Sequence, residues 1–393
     1  DKNRSDQNSM KKLFQSDWVS RSIDALLPVF ATLAALLVGA IMLLFLKVNP
    51  LEAYKALWQG AFGSSNAFAE TLVKATPLLL VALGICISFR GDVINIGGEG
   101  QMVIGALFAT WVGLTFTTLP GWFVITLAML AGFVGGAIWG GIPGFLKAYF
   151  RVNEILSTVM MNAIAVQLMN FLLRGPMIDP SQARLASKIP QTARLLEIFR
   201  LPRLAPTRLH FGALIAVVLA ILVYILLWRT TVGYRIRAVG QNPHAARYAG
   251  INVSRHIVLA LLLSGAFAGL AGAIQVFGVN YRMITDGSAS GFTGSAGFNG
   301  IVAALFGQLH PIWSIPASIL FGALLVGANQ MQRVVQVPSA LVIALNGLVV
   351  VFVVSSENWR RKRQRRRLAA VGPDEESPPS TDKEKVPEAE TIA

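Results

Sequence analysis

A small set of polar side chains stands in otherwise apolar surroundings. Asn95 and Gln101 flank the run Gly97-Gly98-Glu99-Gly100, and Glu99 stands within it. Asn299 belongs to a second run, Gly294-Ser295-Ala296-Gly297-Phe298-Asn299-Gly300, and Asn162 and Gln275 interrupt apolar stretches. An unpaired amide or carboxylate in hydrocarbon is costly, so such groups face protein or a watery path. They can exchange hydrogen bonds with a polar small molecule, or they can cap broken helices and bond exposed backbone. The residues alone leave both roles open. Phe298, Phe292 and Trp111 offer flat faces for stacking or for packing.

The chemistry stops at binding. His210, His244, His256 and His310 are scattered, with no carboxylate and nucleophile near any of them in sequence. No Cys/His spacing suggests a metal, and the one cysteine, Cys86, cannot form an intrachain disulfide. No Gly-x-x-x-x-Gly-Lys-[Ser/Thr] run is present to cradle a phosphate. No cofactor is expected in this chain, and no enzyme activity.

A different signal lies between 233 and 254. Asn242 is a good helix N-cap, and Pro243 suits the first helical position. Ala245, Ala246 and Arg247 favour helix, and Gly250 suits a left-handed residue after its end, before Ile251. Gly240 precedes the cap. The spacing predicts a helix of about two turns, too short to hold alone in water, so it must dock on something.

These positions need elements to carry them. The chain is 54% hydrophobic and only 14% charged, against about 25% charged in a soluble domain, which argues for lipid as the main solvent. A membrane-crossing helix needs about 20 mostly apolar residues. Ten candidates emerge, at about 24–46, 71–89, 98–118, 121–148, 154–174, 209–228, 256–279, 296–309, 311–332 and 337–356. Segment 51–66 is too short and polar to cross, and suits the interface. The expected fold is all-α and integral to the membrane.

Lysine and arginine orient it. Basic residues cluster before residue 23, at Lys147 and Arg151, over 229–255, and in the run Arg360 to Arg367. Ten spans place all four groups on one face, which the positive-inside rule makes the cytoplasm. Both termini are then cytoplasmic, in the plasma or inner membrane. One loop disagrees: residues 175–208 fall outside yet hold Arg184, Lys188, Arg194, Arg200, Arg203 and Arg208. The formal net charge of +14 is explained by topology and anionic lipid rather than nucleic acid. Residues 1–23 form a cytoplasmic leader with no cleavable signal evident. Residues 357–393 are basic, then rich in Pro, Ser and Glu, and read as a disordered tail.

The halves, about 24–174 and 209–356, rhyme. In each, a span leads to a glycine-rich break, then to an Ala-Leu-Phe stretch (106–108 and 304–306), a proline (Pro120 and Pro311) and a Gly/Ala-rich span. The copies enter from opposite sides, as a five-plus-five inverted repeat with broken helices. Such repeats recur in transporters, with the substrate path between the halves.

Asn-Pro-His-Ala-Ala-Arg-Tyr-Ala-Gly-Ile at 242–251 resembles the coupling-helix signature of ABC importer permeases of the ribose, branched-chain amino acid and nucleoside branch. Asn95-Ile96-Gly97-Gly98-Glu99-Gly100-Gln101-Met102 is similar to the signature after their second span, in the form of the nucleoside or simple-sugar members. Asn153-Glu154-Ile155 through Met161-Asn162 fit the same subgroup. The resemblance covers about 25–356 and implies a permease that moves a small polar solute, a nucleoside first, a simple sugar or branched-chain amino acid otherwise. It implies a second permease subunit, related or identical, a cytoplasmic ATPase holding ATP and Mg, and an extracytoplasmic solute-binding lipoprotein. Gly240 to Ile251 would then grip the ATPase, and Asn95, Glu99, Gln101, Asn162, Gln275, Phe298 and Asn299 are the candidates for the path. An ion-coupled secondary transporter, which can share such repeats, is the rival; it would need ionisable groups deep in the membrane, and few are present.

Overall fold

Asparagine marks where several helices begin. Asn153 accepts from the N–H groups of Ile155 (2.9 Å) and Leu156 (3.3 Å), and Asn252 accepts from that of Arg255 (3.0 Å). Each satisfies donors that a helix start leaves bare. The computed structural model describes Phe30, residues 33–185, 189–204 and 206–338, and single positions between 344 and 355. The chain divides into two units, the terminal segments Asp1–Leu27 with Ser355–Ala393, and Pro28–Val354. The elements below belong to the second.

Among the described residues the fold is helical, with isolated bridges at Gln191–Ile284 and Arg203–His210 and no named strand. Helix α1 (Leu33–Phe45) is followed by α2 (Pro50–Phe62), α3 (Ser65–Arg90), α4 (Gly98–Thr115), α5 (Gly121–Phe150) and α6 (Glu154–Arg174). The short α7 (Pro180–Ala183) sits in a long connection. Then come α8 (Gly212–Arg229), α9 (Thr231–Gln241), α10 (Pro243–Tyr248), α11 (Val253–Gln275, continued by a π turn to Asn280), α12 (Ala289–Thr293), α13 (Ala296–Phe306) and α14 (Ser314–Val335).

Six of the described helices are long and apolar enough to cross a membrane: α3, α5, α6, α8, α11 with its π turn, and α14. The ten expected spans are not all of that kind. Helix α13 has eleven residues, roughly 16 Å at 1.5 Å per residue, about half of a hydrocarbon core. Gly307 ends it because the chain must turn hard there: a Cβ on Gly307 would lie 2.8 Å from the Ser314 nitrogen. The last expected span, 337–356, falls largely outside the described residues, as do the N-terminal leader and the C-terminal tail. Segment 51–66, too short to cross, holds α2 and the start of α3. Pro50 follows the cap Asn49, and Ala53 and Ala56 bury one face of α2 in a cluster with Met331 of α14.

The core is built on glycine. Gly132, Gly136, Gly140 and Gly144 recur every fourth residue and line one stripe of α5. A Cβ on Gly136 would lie 2.2 Å from the Gly265 carbonyl oxygen and 2.6 Å from Gly269 Cα, so α5 and α11 touch backbone to backbone. A Cβ on Gly105 of α4 would lie 2.2 Å from the same Gly269 Cα. Three helices thus meet at one point. In lipid, close van der Waals contact supplies the association that hydrophobicity cannot.

Two ends can be told apart by contact. One gathers the end of α3, the α5–α6 turn, α8's last turn, α9, α10 and the start of α11; Ser254 there donates to the Ala148 carbonyl (3.4 Å). The opposite end carries the connection 175–211, whose strand-like backbone bonds to Tyr281 and Met283 (Leu195 N–H to Tyr281 O, 2.8 Å; Thr192 N–H to Met283 O, 2.9 Å). Three of the arginines that broke the charge rule have partners there. Arg200 pairs with Glu197 (2.8 Å) and lies over the Tyr281 ring, and Arg208 reaches Glu70 (3.4 Å). Arg194 also faces Tyr281. Their charge is tied to tertiary contacts, so it need not act as a topology signal.

Candidate functional site

The two glycine-rich breaks, nearly 200 residues apart in sequence, meet. A Cβ on Gly297 would lie 2.4 Å from the Glu99 nitrogen, and one on Gly98 would lie 3.3 Å from Gly297 Cα. Two glycines let the starts of α4 and α13 cross at backbone distance. Gly294 and Ser295 both adopt left-handed φ (62° and 60°), which turns the chain sharply between α12 and α13. Serine pays for that conformation as glycine does not.

Glu99 fastens the crossing. Its carboxylate accepts from the Thr293 hydroxyl and from the Phe298 N–H (3.2 Å). The first break thereby caps α13, which has no side-chain cap of its own. Beside it, Asn95 and Gln101 hold each other: the Asn95 amide donates to Gln101 Oε1 (3.0 Å) and to Ser264 Oγ (2.8 Å), and Gln101 donates back to Asn95 Oδ1 (3.1 Å). Asn95 Oδ1 also accepts from the Gly97 N–H (2.9 Å). Asn162 reaches in from α6, accepting from the Gly100 N–H (2.8 Å) and donating to the Ile96 carbonyl (3.0 Å). These four side chains therefore bond the backbone and one another around a break, with Asn95, Glu99 and Gln101 buried.

Asn95, Glu99, Gln101, Asn162 and the Phe298 backbone thus come together, and the Phe298 ring stays 49% exposed beside them. Asn299, on the next position of α13, is half-buried. Gln275 does not join: it lies eleven residues beyond Ser264 on α11, roughly 16 Å along the axis. Phe292 is buried and Trp111 exposed, neither within this bonding set. Sequence reasoning missed Thr293 and Ser264. Both are hydroxyls adjoining a glycine, Gly294 and Gly265, which is the faint signal they gave.

Above the cluster, α6 leads to the opposite end. There the Thr285 hydroxyl donates to Asn170 Oδ1 (2.7 Å) and accepts from the Gly287 N–H (3.0 Å). A cavity of about 500 Å³ opens beside them, lined by Arg174, Ile178, Pro190, Thr285 and Asp286. The N–H and hydroxyl of Ser288 (2.9 and 2.8 Å) hold the Asp286 carboxyl below its usual range.

The 233–254 segment folds as its residues suggest, with one addition. Asn242 accepts from the N–H groups of His244 and Ala245 (3.0 Å each), Pro243 opens α10, and Gly250 follows at φ 77°. The addition is α9, an amphipathic helix just before it, so α10 is not isolated. Ile236 and Val239 of α9 are buried. Ala246 packs with Val239, Val253 and Ile251, and is the one buried residue of α10. Pro243, His244, Ala245, Arg247 and Tyr248 are exposed. The stub is seated on its own domain by a single alanine and presents every other face outward. Gly240 sits where α9 presses on α3: a Cβ there would lie 2.1 Å from the Arg90 carbonyl oxygen. Nearby, burial and the Arg90 charge hold the His310 imidazole below its ordinary pKa.

Comparison with known proteins places this chain among relatives. The family described as branched-chain amino acid transport system / permease component matches residues 67–354. The guanosine ABC transporter permease NupP of Bacillus subtilis is 36% identical over 338 residues, 86% of this chain and 95% of that protein. A glucose ABC transporter permease of Haloferax volcanii is 35% identical over 346 residues, 85% and 88% of the two chains. NupQ, a second guanosine permease of Bacillus subtilis, is 32% identical over 258 residues, 64% and 78% of the two. No solved structure matches.

Proposed function

The chain belongs to the permease-component family of branched-chain amino acid transport systems, a multi-pass membrane protein, and from that premise we propose that it forms the translocation path of an ATP-driven nucleoside importer. The observation that carries the solute class is the similarity to a guanosine permease along nearly that protein's whole length. The glucose permease is almost as similar, so a simple sugar is the second reading. A branched-chain amino acid is the third.

In this reading the end bearing α9 and α10 faces the cytoplasm and both termini lie there, in the plasma membrane. The exposed stub, Asn242, Pro243, Ala245, Ala246, Arg247, Gly250 and Ile251 with Gly240 behind it, docks in a groove of a separate ATPase that binds ATP and Mg. An extracytoplasmic binding lipoprotein delivers solute at the other end. Similarity to both NupP and NupQ, two chains of one organism, supports a related but distinct partner permease. The crossing of α4 and α13 supports a five-plus-five inverted repeat completed to about ten spans. Helix α4 packs on α11 through Gly105 and Gly269, while α13 packs on α3 through Gly300, whose Cβ would lie 2.6 Å from Val81. Asn95, Glu99, Gln101 and Asn162 then shape the path by holding its backbone, and Phe298 and Asn299 are the side chains left to meet solute.

Proteoliposomes carrying the complex with its co-purified partners test the assignment. Labelled guanosine is expected to accumulate only with ATP and the loaded binding protein, and excess unlabelled glucose or leucine to leave uptake unchanged. Competition by glucose would move the solute to the second reading. Uptake driven by an ion gradient without ATP would contradict the importer.

A further inference from the structure

We propose that Arg90 is the positioning residue that transmits motion of the α9–α10 lever to the α13 half of the helix-break crossing. This rests on the importer reading above and assigns a linkage within it. Arg90 ends α3, and its backbone lies directly under Gly240 of α9. Its side chain donates from Nε to the Leu309 carbonyl (3.2 Å) and from Nη2 to the Gln308 carbonyl (3.4 Å). Those two residues form the α13–α14 turn, and both hold left-handed φ (58° and 55°). Consecutive left-handed non-glycine residues are costly and persist where surrounding contacts fix them. A guanidinium held on both carbonyls is such a contact.

The same guanidinium lies 5.2 Å from the Trp228 ring of α8, and Arg237 of α9 lies 5.6 Å from that ring. Trp228 also packs on Tyr224 and on the His310 ring at 5.0 Å. One indole is thus shared by the lever, through Arg237, and by the turn, through Arg90 and His310. The connection is continuous: Ala246 on Val239 within α10 and α9, Gly240 on Arg90, Arg90 on Gln308 and Leu309, then the eleven-residue α13 to Gly297 and Glu99. A coupling measurement separates this linkage from simple adjacency.

The complex in proteoliposomes, with labelled guanosine as the probe, supplies it as solute taken up per ATP hydrolysed. In Arg90→Gln that ratio should fall on the order of tenfold while basal hydrolysis persists, as for a lost interaction between two sites. Arg90→Lys, keeping the cation and one carbonyl contact, should recover part of it. Should Arg90→Gln fail to assemble, Trp228→Leu tests the same link, and Trp228→Phe should restore the ratio. Glu70→Gln, which breaks the ion pair with Arg208 at the opposite end, should leave it unchanged. An unchanged ratio in Arg90→Gln, or in Trp228→Leu, overturns the proposal, as does a parallel loss of uptake and hydrolysis at constant ratio. Uptake by the wild type that ignores ATP would instead sink the importer reading itself.

Discussion

Glu99 shows how a polar residue in an apolar helix can be structural without being idle. Its carboxylate has one partner in α12 and one in α13, so it ties the second half of the molecule to the first. Glu99→Ala leaves the Phe298 N–H without an acceptor at a helix start, and an unsatisfied buried donor costs about 1–3 kcal/mol. The melting temperature in detergent should drop clearly for Glu99→Ala and much less for Glu99→Gln, which keeps an acceptor oxygen. A wild-type melting temperature in Glu99→Ala would mean that the carboxylate is not fastening the crossing. At this scale the sequence was legible in kind but not in partner. The cost of burying Asn95, Gln101 and Asn162 announced that they must be satisfied. That Asn95 and Gln101 satisfy each other, with Ser264 from α11 as third member, depends on helices joined only in the folded chain. Gln275 carried the same signal and stands elsewhere.

Elements were readable where their signals are local. Helix α10 follows from Asn242, Pro243 and Gly250 because cap, first turn and left-handed exit are decided within a few residues. Helix α9 was missed because its buried residues, Ile236 and Val239, sit among Arg235 and Arg237, so apolar content fails to flag it. Asn49 and Pro50 gave α2 the same local start as α10. The α5 stripe is also local in pattern, but its mate on α11 is not. Gly136→Ala would push a Cβ to within 2.2 Å of the Gly265 carbonyl, and forcing such helices apart costs about 1–3 kcal/mol. Gly141→Ala, further along the same helix, meets only Leu262 at 3.9 Å and should be neutral or slightly stabilising, since alanine outranks glycine in a helix by about 1 kcal/mol. Thermal unfolding of the two variants side by side checks the geometry. Equal stability would mean that the α5–α11 contact is looser than backbone to backbone.

At the scale of the molecule, two crossed helix breaks form its middle, a connection folded onto the π turn closes one end, and a lever seated on α3 and α11 occupies the other. The meeting of Gly98 with Gly297 brings together two glycine-rich runs that lie far apart in the sequence. The number of full-length spans was less legible, because composition cannot tell a crossing helix from an apolar one of eleven residues. In the proposed importer this lever is the part that a separate ATPase grips, and α10 is an exposed stub with one buried alanine. The chain's one cysteine, Cys86, is buried, so a single introduced thiol reports one place. Tyr248, 94% exposed on α10, is that place. A photoactivatable crosslinker on Tyr248→Cys in the native complex should capture the nucleotide-binding subunit, and one on Ser290→Cys, exposed at the opposite end, should not. Capture from Tyr248→Cys confirms the grip; failure to capture any nucleotide-binding chain, while ATP-driven uptake continues, would contradict it.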